Sequence, residues 1–188
     1  MRDRFLQRKT AVLLKLDKSS IGKWDKKIKA VCDKINLLDN FYTTSSCSGR
    51  IILMIEQEKK GKDLFLKIWH DKINFNELKK ELIKLVSSKN KLIKFKLEPP
   101  IIHIACRDLK KATYILEKGK SCGFKRSGIL TFDKNIIVEL NSSDKLEFPI
   151  IKNKKILVDN AFLKLIIEIS NKKLKKGWEK IKKLEKIV

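Results

Sequence analysis

The sequence lacks several patterns that each identify a common class of protein. Its four cysteines form no CxxC pair and its two histidines, His70 and His103, lie far apart, so no metal site is expected. No uninterrupted apolar run approaches the roughly 18 residues that a membrane-spanning helix needs, and no apolar segment of a signal peptide follows the charged start of the chain. We therefore expect a cytoplasmic protein that does not bind membranes.

Linkers and nucleotide-binding glycine motifs are also missing. The chain has 188 residues with only 7 glycines and 3 prolines. No stretch rich in glycine, proline or serine separates two parts of it, so residues 1–188 are expected to form a single domain. No GxGxxG motif follows a first strand, which argues against a Rossmann fold.

Positive charge is what the sequence has in excess. Its 45 lysines and arginines against 22 acidic residues give a formal net charge of +23, and a compact chain folds against that self-repulsion. A polyanionic partner, most simply nucleic acid, would relieve it. The alternative is that the lysines reflect amino-acid usage on a solvated surface. Arginine is the better bidentate ligand for phosphate, and Arg50, Arg107 and Arg126 lie in the most distinctive stretches of the chain.

Apolar spacing predicts helices and strands in alternation. The positions of Ile28, Val31, Cys32 and Ile35 are typical of an amphipathic helix, which we place over residues 24–38. Further helices are predicted over 2–15, 74–86, 109–121 and after Asp159, and strands over 51–56, 63–70, 92–97, 101–106, 129–132, 136–140 and near 156–158. This succession predicts an α+β fold in which helices pack on a mixed β-sheet.

The same patterns predict core positions and connections. The residues expected to be buried in the first and last helices are Phe5, Val12, Leu13 and Leu16, and Phe162, Leu165, Ile166 and Ile169. Residues 141–148 are predicted to form a polar connection that Pro149 closes, and turns are expected at 58–62 and 133–135.

Residues 42–50, with the sequence YTTSSCSGR, are the most distinctive segment. Strand-like residues lie on both sides, so we predict a loop or bulge at the start of a strand. The hydroxyls can donate and accept hydrogen bonds, Gly49 lets a ligand approach the backbone, and Arg50 can meet a phosphate or carboxylate. We interpret the segment as a binding loop. The alternative is a hairpin turn whose serines and threonines satisfy its own backbone.

Reactive side chains also stand at three other predicted strand ends: Trp69 with His70, His103 with Arg107, and Lys125 with Ser127. Such groups typically converge on a pocket, so they could face one site. Each also has a structural reading. His103 lies between isoleucines and could be a hydrogen-bonded core histidine, Trp69 could fill the core, and Ser127 could open a hairpin. Nucleophilic catalysis is conceivable, but no spacing identifies a triad.

Residues 43–51, TTSSCSGRI, resemble the signature of the wybutosine-synthesising tRNA methyltransferase family, the third enzyme of that pathway. Other stretches resemble the family in the same order: Asp17-Lys18-Ser19 with Asp25, Lys67-Ile68-Trp69-His70, Glu98-Pro99 through Ile102-His103-Ile104-Ala105, Gly123-Phe124 with Ser127-Gly128-Ile129, and Val138-Glu139. The resemblance implies an S-adenosylmethionine-dependent methyltransferase, without the usual methyltransferase sheet, that acts on N4 of the tricyclic guanosine derivative at position 37 of phenylalanine tRNA.

Given that reaction, we assign roles to the candidate residues. The residues expected to hold the cofactor are Ser45, Ser46, Ser48 and Gly49, and those expected to bind the tRNA anticodon loop are Tyr42, Cys47, Arg50, Trp69, Arg107, Lys125 and Ser127. His70 or His103 would take the proton from the nitrogen, and the transfer requires no metal. The alternatives are a non-catalytic RNA-binding module with the same basic surface, and a serine or cysteine hydrolase.

Overall fold

Two antiparallel sheets and five helices form the part of the chain that the computed structural model describes, which is residues 3–14, 25–57, 64–88, 90–132 and 135–188. The predictions made for Leu16, for Asp17-Lys18-Ser19 and for the turns at 58–62 and 133–134 lie outside the described residues.

In chain order the elements are α1 (Arg4–Leu13), α2 (Lys26–Leu37), β1 (Phe41–Cys47), β2 (Arg50–Ile55), β3 (Phe65–Trp69), α3 (Phe75–Ser88), β4 (Ile93–Glu98), β5 (Ile101–Cys106), α4 (Leu109–Ser121), β6 (Gly128–Thr131), β7 (Ile136–Asn141), β8 (Leu146–Lys152), β9 (Lys155–Ile156) and α5 (Asn160–Ile187). None of the described helices, including α5, the longest, has a stretch that is long and apolar enough to cross a bilayer.

The α+β class predicted from the sequence is confirmed, but the strands form two antiparallel sheets where one mixed sheet was expected. Strand β1 pairs with β5, and β2 pairs with β4. Hydrophobic patterns mark where strands lie, whereas these partners are distant in sequence and are selected by packing.

The described residues divide into two compact units. One contains residues from 1–48, 100–143 and 177–188, and the other contains 49–99 and 144–176. The prediction that residues 1–188 form a single domain stays a prediction.

The first unit is built on the sheet β1-β5-β7-β6. Helices α2 and α4 pack on one face of it, and the four predicted residues of α2 are buried against Ile102, Ile104, Val138 and Leu140. Asp108 accepts the backbone N–H of Lys111 and so caps α4. The prediction for α2 is thus confirmed, because a helical stripe facing a sheet is specified by local spacing.

Helix α1 differs from the prediction, because none of its residues is buried. Phe5 and Val12 are half-buried, and Leu13 is 39% exposed. Helix α1 makes its main contact with strand β1. Amphipathic spacing indicates which side of a helix faces the protein, but not how much of the protein is there to cover it.

The second unit is built on the sheet β3-β2-β4-β8-β9. Its core contains Ile51, Ile52 and Phe95 from the strands, and Leu78, Leu82 and Leu85 from α3 as predicted. Asn74 and Glu77 exchange side-chain to backbone hydrogen bonds at the start of α3, which is a capping box.

Two predictions in this unit are wrong. In α5, Phe162 and Leu165 are 37% and 52% exposed, while Leu163 and Ile167 are buried beside the expected Ile166. The predicted set of buried residues was wrong because this lysine-rich helix carries apolar residues around much of its surface.

Residues 146–152, predicted to be mostly a polar connection, form strand β8. Pro149 lies in this strand opposite Lys94, beside a shift in register. A strand tolerates proline at such an irregularity, where a regular ladder hydrogen bond is already lost.

Candidate active site

The segment 42–50 is mostly strand and not the loop that was predicted. Strand β1 extends to Cys47, with a shift in register between Thr43 and Ser45, so the expected bulge is present. Only Ser48 and Gly49 separate β1 from β2, and Gly49 has φ of 99°, a conformation that favours glycine. The register shift sets which of the successive serines point to each face of the sheet.

Ser45, His103 and Glu139 form a hydrogen-bonded row across three adjacent strands. Ser45 is the register partner of His103, and His103 is the partner of Glu139. Ser45 Oγ lies 2.7 Å from His103 Nδ1, and His103 Nε2 lies 2.8 Å from Glu139 Oε2. We call the face that carries these three residues the polar face of the first sheet.

Strand alternation explains why these side chains are together. Ile102 and Ile104 are buried in the core, so His103 between them points to the opposite face, and Val138 and Leu140 do the same for Glu139. The side chains of His103 and Glu139 are each 23% exposed, and Ser45 is exposed. His103 is therefore not a core histidine. Its role as proton acceptor stays a prediction.

Glu139 is in turn held by Asn141, whose Nδ2 donates to Glu139 Oε1 at 3.1 Å. The backbone N–H of Asn141 donates to Ser127 Oγ, and the Ser127 hydroxyl donates to the Phe124 carbonyl. Ser127 thus fastens the loop before β6 to the end of β7, which agrees with its structural reading. Lys125, in the same loop, is exposed.

The hydroxyls of Ser46 and Ser48 do not lie on the polar face with Ser45. Ser46 Oγ is buried, and its one interaction among the described residues is with the Cys32 thiol, whose pKa it acts to lower. Burial nevertheless raises the pKa of Cys32 to about 11. Ser48 is fully buried and donates to Asp25, the N-cap of α2. The cofactor role predicted for these two serines stays a prediction.

Tyr42 and Arg107 lie where α1 packs on the first unit. The ring of Tyr42 is 2% exposed and its centroid lies 5.2 Å from that of Phe5, and burial raises the Tyr42 pKa. Arg107 Nη1 donates to Asp3 at 2.5 Å, and its guanidinium lies 4.9 Å from the Phe5 ring. The hydrogen bond from Arg107 lowers the pKa of Asp3. In this structure both predicted RNA-binding side chains hold α1 in place.

Arg50, in the second unit, is paired with a carboxylate of the chain itself. Its Nε donates to Glu98 Oε2 at 2.7 Å, and Lys96 Nζ lies 3.1 Å from Glu98 Oε1. Burial acts to raise the pKa of Glu98, but Arg50 and Lys96 together outweigh it and hold that pKa below its ordinary value.

Trp69 and His70 also belong to the second unit. Trp69 is the last residue of β3 and is paired with Ile51, and His70 follows it directly. Both side chains are half-buried, and Lys67 Nζ lies 5.8 Å from the centroid of the Trp69 ring. The Trp69 ring therefore lies at the boundary between the core and the surface, and its role in stacking a base stays a prediction.

Glu139 and Asn141 are the site residues to which the sequence assigned no role. The alternating burial pattern of β7 contained the signal, because a carboxylate flanked by Val138 and Leu140 must face away from the core. The residue opposite Glu139 on the neighbouring strand could not be predicted from the sequence, since the register between distant strands is set by tertiary packing.

Comparison with known proteins gives consistent matches over nearly the whole chain. The family model described as methyltransferase TYW3 matches residues 7–188. A relative from Methanocaldococcus jannaschii, named tRNA(Phe) 7-((3-amino-3-carboxypropyl)-4-demethylwyosine(37)-N(4))-methyltransferase, is 37% identical over 180 residues, which cover 93% of this chain and 92% of the relative. A relative of the same name from Archaeoglobus fulgidus is 35% identical over 173 residues, covering 90% and 85%. The solved structure of the PH1069 protein from Pyrococcus horikoshii matches with a TM-score of 0.86 and 31% identity, covering 97% of this chain and 92% of that one.

Proposed function

The chain belongs to the methyltransferase TYW3 family, and we propose that it methylates N4 of a 4-demethylwyosine-type nucleoside at position 37 of tRNA(Phe). The family resemblance seen in the sequence is thereby confirmed. The substrate is inferred from the names of the two relatives above, of which the matches cover 92% and 85%. The net charge of +23 suits a polyanionic substrate of this kind.

One structural observation supports the reaction type: the row formed by Ser45, His103 and Glu139 on the polar face. Methylation of a ring nitrogen that carries hydrogen must release one proton. A histidine that is hydrogen-bonded to a carboxylate is a general base of the ordinary kind, because the carboxylate stabilises the imidazolium that forms. We propose His103, and not His70, as the proton acceptor.

We propose S-adenosylmethionine as the methyl donor, which supplies an electrophilic methyl group on a sulfonium sulfur. We propose that its polar amino-acid end lies against residues 46–49, as the sequence predicted. Gly49 adopts φ of 99°, a conformation that favours glycine, and is buried. Ser48 is fully buried and its hydroxyl is engaged by Asp25, so its contact with the cofactor would require that hydrogen bond to be exchanged. Alignment of nitrogen, methyl group and sulfur is the main task of the protein in such a displacement.

The tRNA would be bound through its single-stranded anticodon loop. Bases in such loops are unstacked and are held by aromatic side chains, and we keep Trp69 as the candidate for this contact. Tyr42 is available only if α1 moves away from it. Arg107 is likewise engaged by Asp3 and is available only if α1 moves. Lys125 and Cys47 remain the proposed contacts to the RNA backbone and base. We propose that the reaction takes place in the cytoplasm, where tRNA is used.

The proposal is tested with tRNA(Phe) isolated from cells that lack the gene for this protein. Incubation with methyl-labelled S-adenosylmethionine, followed by digestion to nucleosides, is expected to give label in one tricyclic nucleoside. An unmodified transcript of the same tRNA is the control, because it lacks the tricyclic base and should take up no label. Label in the transcript, or in a standard nucleoside, would contradict the proposed substrate. Replacing each histidine separately by glutamine is expected to abolish transfer for His103→Gln only.

A further inference from the structure

We infer that Ser45 is the group that takes the proton from the nucleobase and passes it to His103, and that Glu139 is the positioning residue that makes this relay possible. The inference rests on the proposed function and specifies how the proton leaves. It differs from the role first expected for Ser45, which was to hold the cofactor.

The imidazole of His103 has no ring nitrogen left for the substrate. Glu139 occupies Nε2 at 2.8 Å and Ser45 occupies Nδ1 at 2.7 Å. His103 is 23% exposed at its side chain, whereas Ser45 is exposed. A nucleobase that approaches the polar face therefore meets the Ser45 hydroxyl before the imidazole.

Glu139 determines the direction of these hydrogen bonds. An ionised carboxylate can only accept, so neutral His103 carries its proton on Nε2 and presents a bare lone pair at Nδ1. Ser45 must then donate its O–H to Nδ1, which leaves the lone pairs of Ser45 Oγ to accept a proton from elsewhere. Asn141, bound to the second oxygen of Glu139, fixes the orientation of the carboxylate.

The nucleobase nitrogen forms its bond to the methyl carbon while the carbon–sulfur bond breaks and sulfur keeps the electron pair. The N–H proton moves to Ser45 Oγ as the Ser45 O–H proton moves to His103 Nδ1. The resulting imidazolium is paired with Glu139 and later gives its proton to water. No oxidant, reductant or metal takes part.

The first test removes the hydroxyl. Ser45→Ala is expected to lower kcat by about 10²–10⁴-fold, the usual contribution of general base catalysis, with the KM for the methyl donor unchanged. Ser45→Thr keeps a hydroxyl on the same carbon and is expected to retain most of the wild-type rate. Ser121→Ala is the matched control, since Ser121 also lies in the first unit and its hydroxyl donates to the Lys118 carbonyl, away from the polar face. Unfolding temperatures check that each variant folds.

The second test reads the tautomer of His103 directly by nitrogen NMR. The chain has only two histidines, so the spectrum contains two imidazoles, and His103→Gln assigns them. Neutral His103 is expected as the Nε2–H form. Glu139→Gln is expected to mix the two tautomers, because an amide can both donate and accept, and to reduce kcat in parallel.

Three results would overturn the relay. They are a Ser45→Ala rate within the range of the Ser121→Ala control, a rise in donor KM that accounts for the whole loss, or an Nδ1–H tautomer in the wild-type protein. In the first two cases the wild type still methylates the tRNA, so the proposed function stands while the relay fails. A wild-type protein that transfers no methyl group overturns both.

Discussion

Replacing Gly177 by alanine has two opposite effects on the free energy of unfolding: a gain in helix propensity and a steric clash. Gly177 lies in the interior of α5, where alanine is favoured over glycine by about 1 kcal/mol through helix propensity alone. A Cβ at this position would lie 2.7 Å from both Cδ and Cγ of Pro100. Carbon atoms in real structures do not approach so closely, and a buried proline ring cannot rotate out of the way.

The steric effect is expected to win. Adding a methyl group to a filled site costs about 1–3 kcal/mol, and the rigid neighbour places this site in the upper part of that range. After the propensity gain is subtracted, we expect a net loss of about 1–2 kcal/mol in the free energy of unfolding. For a chain of this length that corresponds to a fall of about 2–8 °C in the unfolding temperature.

The measurement is thermal or urea unfolding followed by circular dichroism, with Gly128→Ala as the control. No atom lies within 4 Å of a Cβ built at Gly128. The control variant is therefore expected to be as stable as the wild type or slightly more stable, because alanine reduces the entropy of the unfolded chain. If Gly177→Ala unfolds at or above the wild-type temperature, helix propensity decides and the packing of Gly177 against Pro100 is looser than described.

Arg50→Ala is expected to destabilise the fold at neutral pH, because Arg50 is paired with Glu98 and holds the Glu98 pKa below 4.5. The ion pair contributes above that pH, so the stability difference between variant and wild type should vanish in acid titrations that protonate Glu98. Asp108→Ala removes the cap of α4 and should cost about 1 kcal/mol in urea unfolding. Binding of tRNA, measured by fluorescence anisotropy, should weaken by about 10²-fold or more between roughly 50 and 200 mM salt if six or more phosphates of the single-stranded loop are contacted. A single domain should unfold in one transition seen identically by fluorescence and circular dichroism, and two separated transitions would contradict it.

The helices show what local pattern can and cannot specify. Helix α4 begins and ends at the predicted residues because Asp108 provides a cap and Gly123, with φ of 101°, provides a stop. Helix α1 was also recognised, yet its predicted core residues are not buried. Strand β8 was missed because its proline and polar start resemble a connection, and only its pairing with β4 makes it a strand.

For the site, the sequence by itself determined the residue types and the face of the strand on which each one lies. Alternation places His103 opposite the buried isoleucines and Glu139 opposite Val138 and Leu140. Only the tertiary structure decided that Ser45, His103 and Glu139 are neighbours, because the residues lie on three strands far apart in the chain and one bulge in β1 sets their register. Side-chain direction is a property of the local backbone with a period of two residues, whereas the choice of strand partner depends on how the whole core packs.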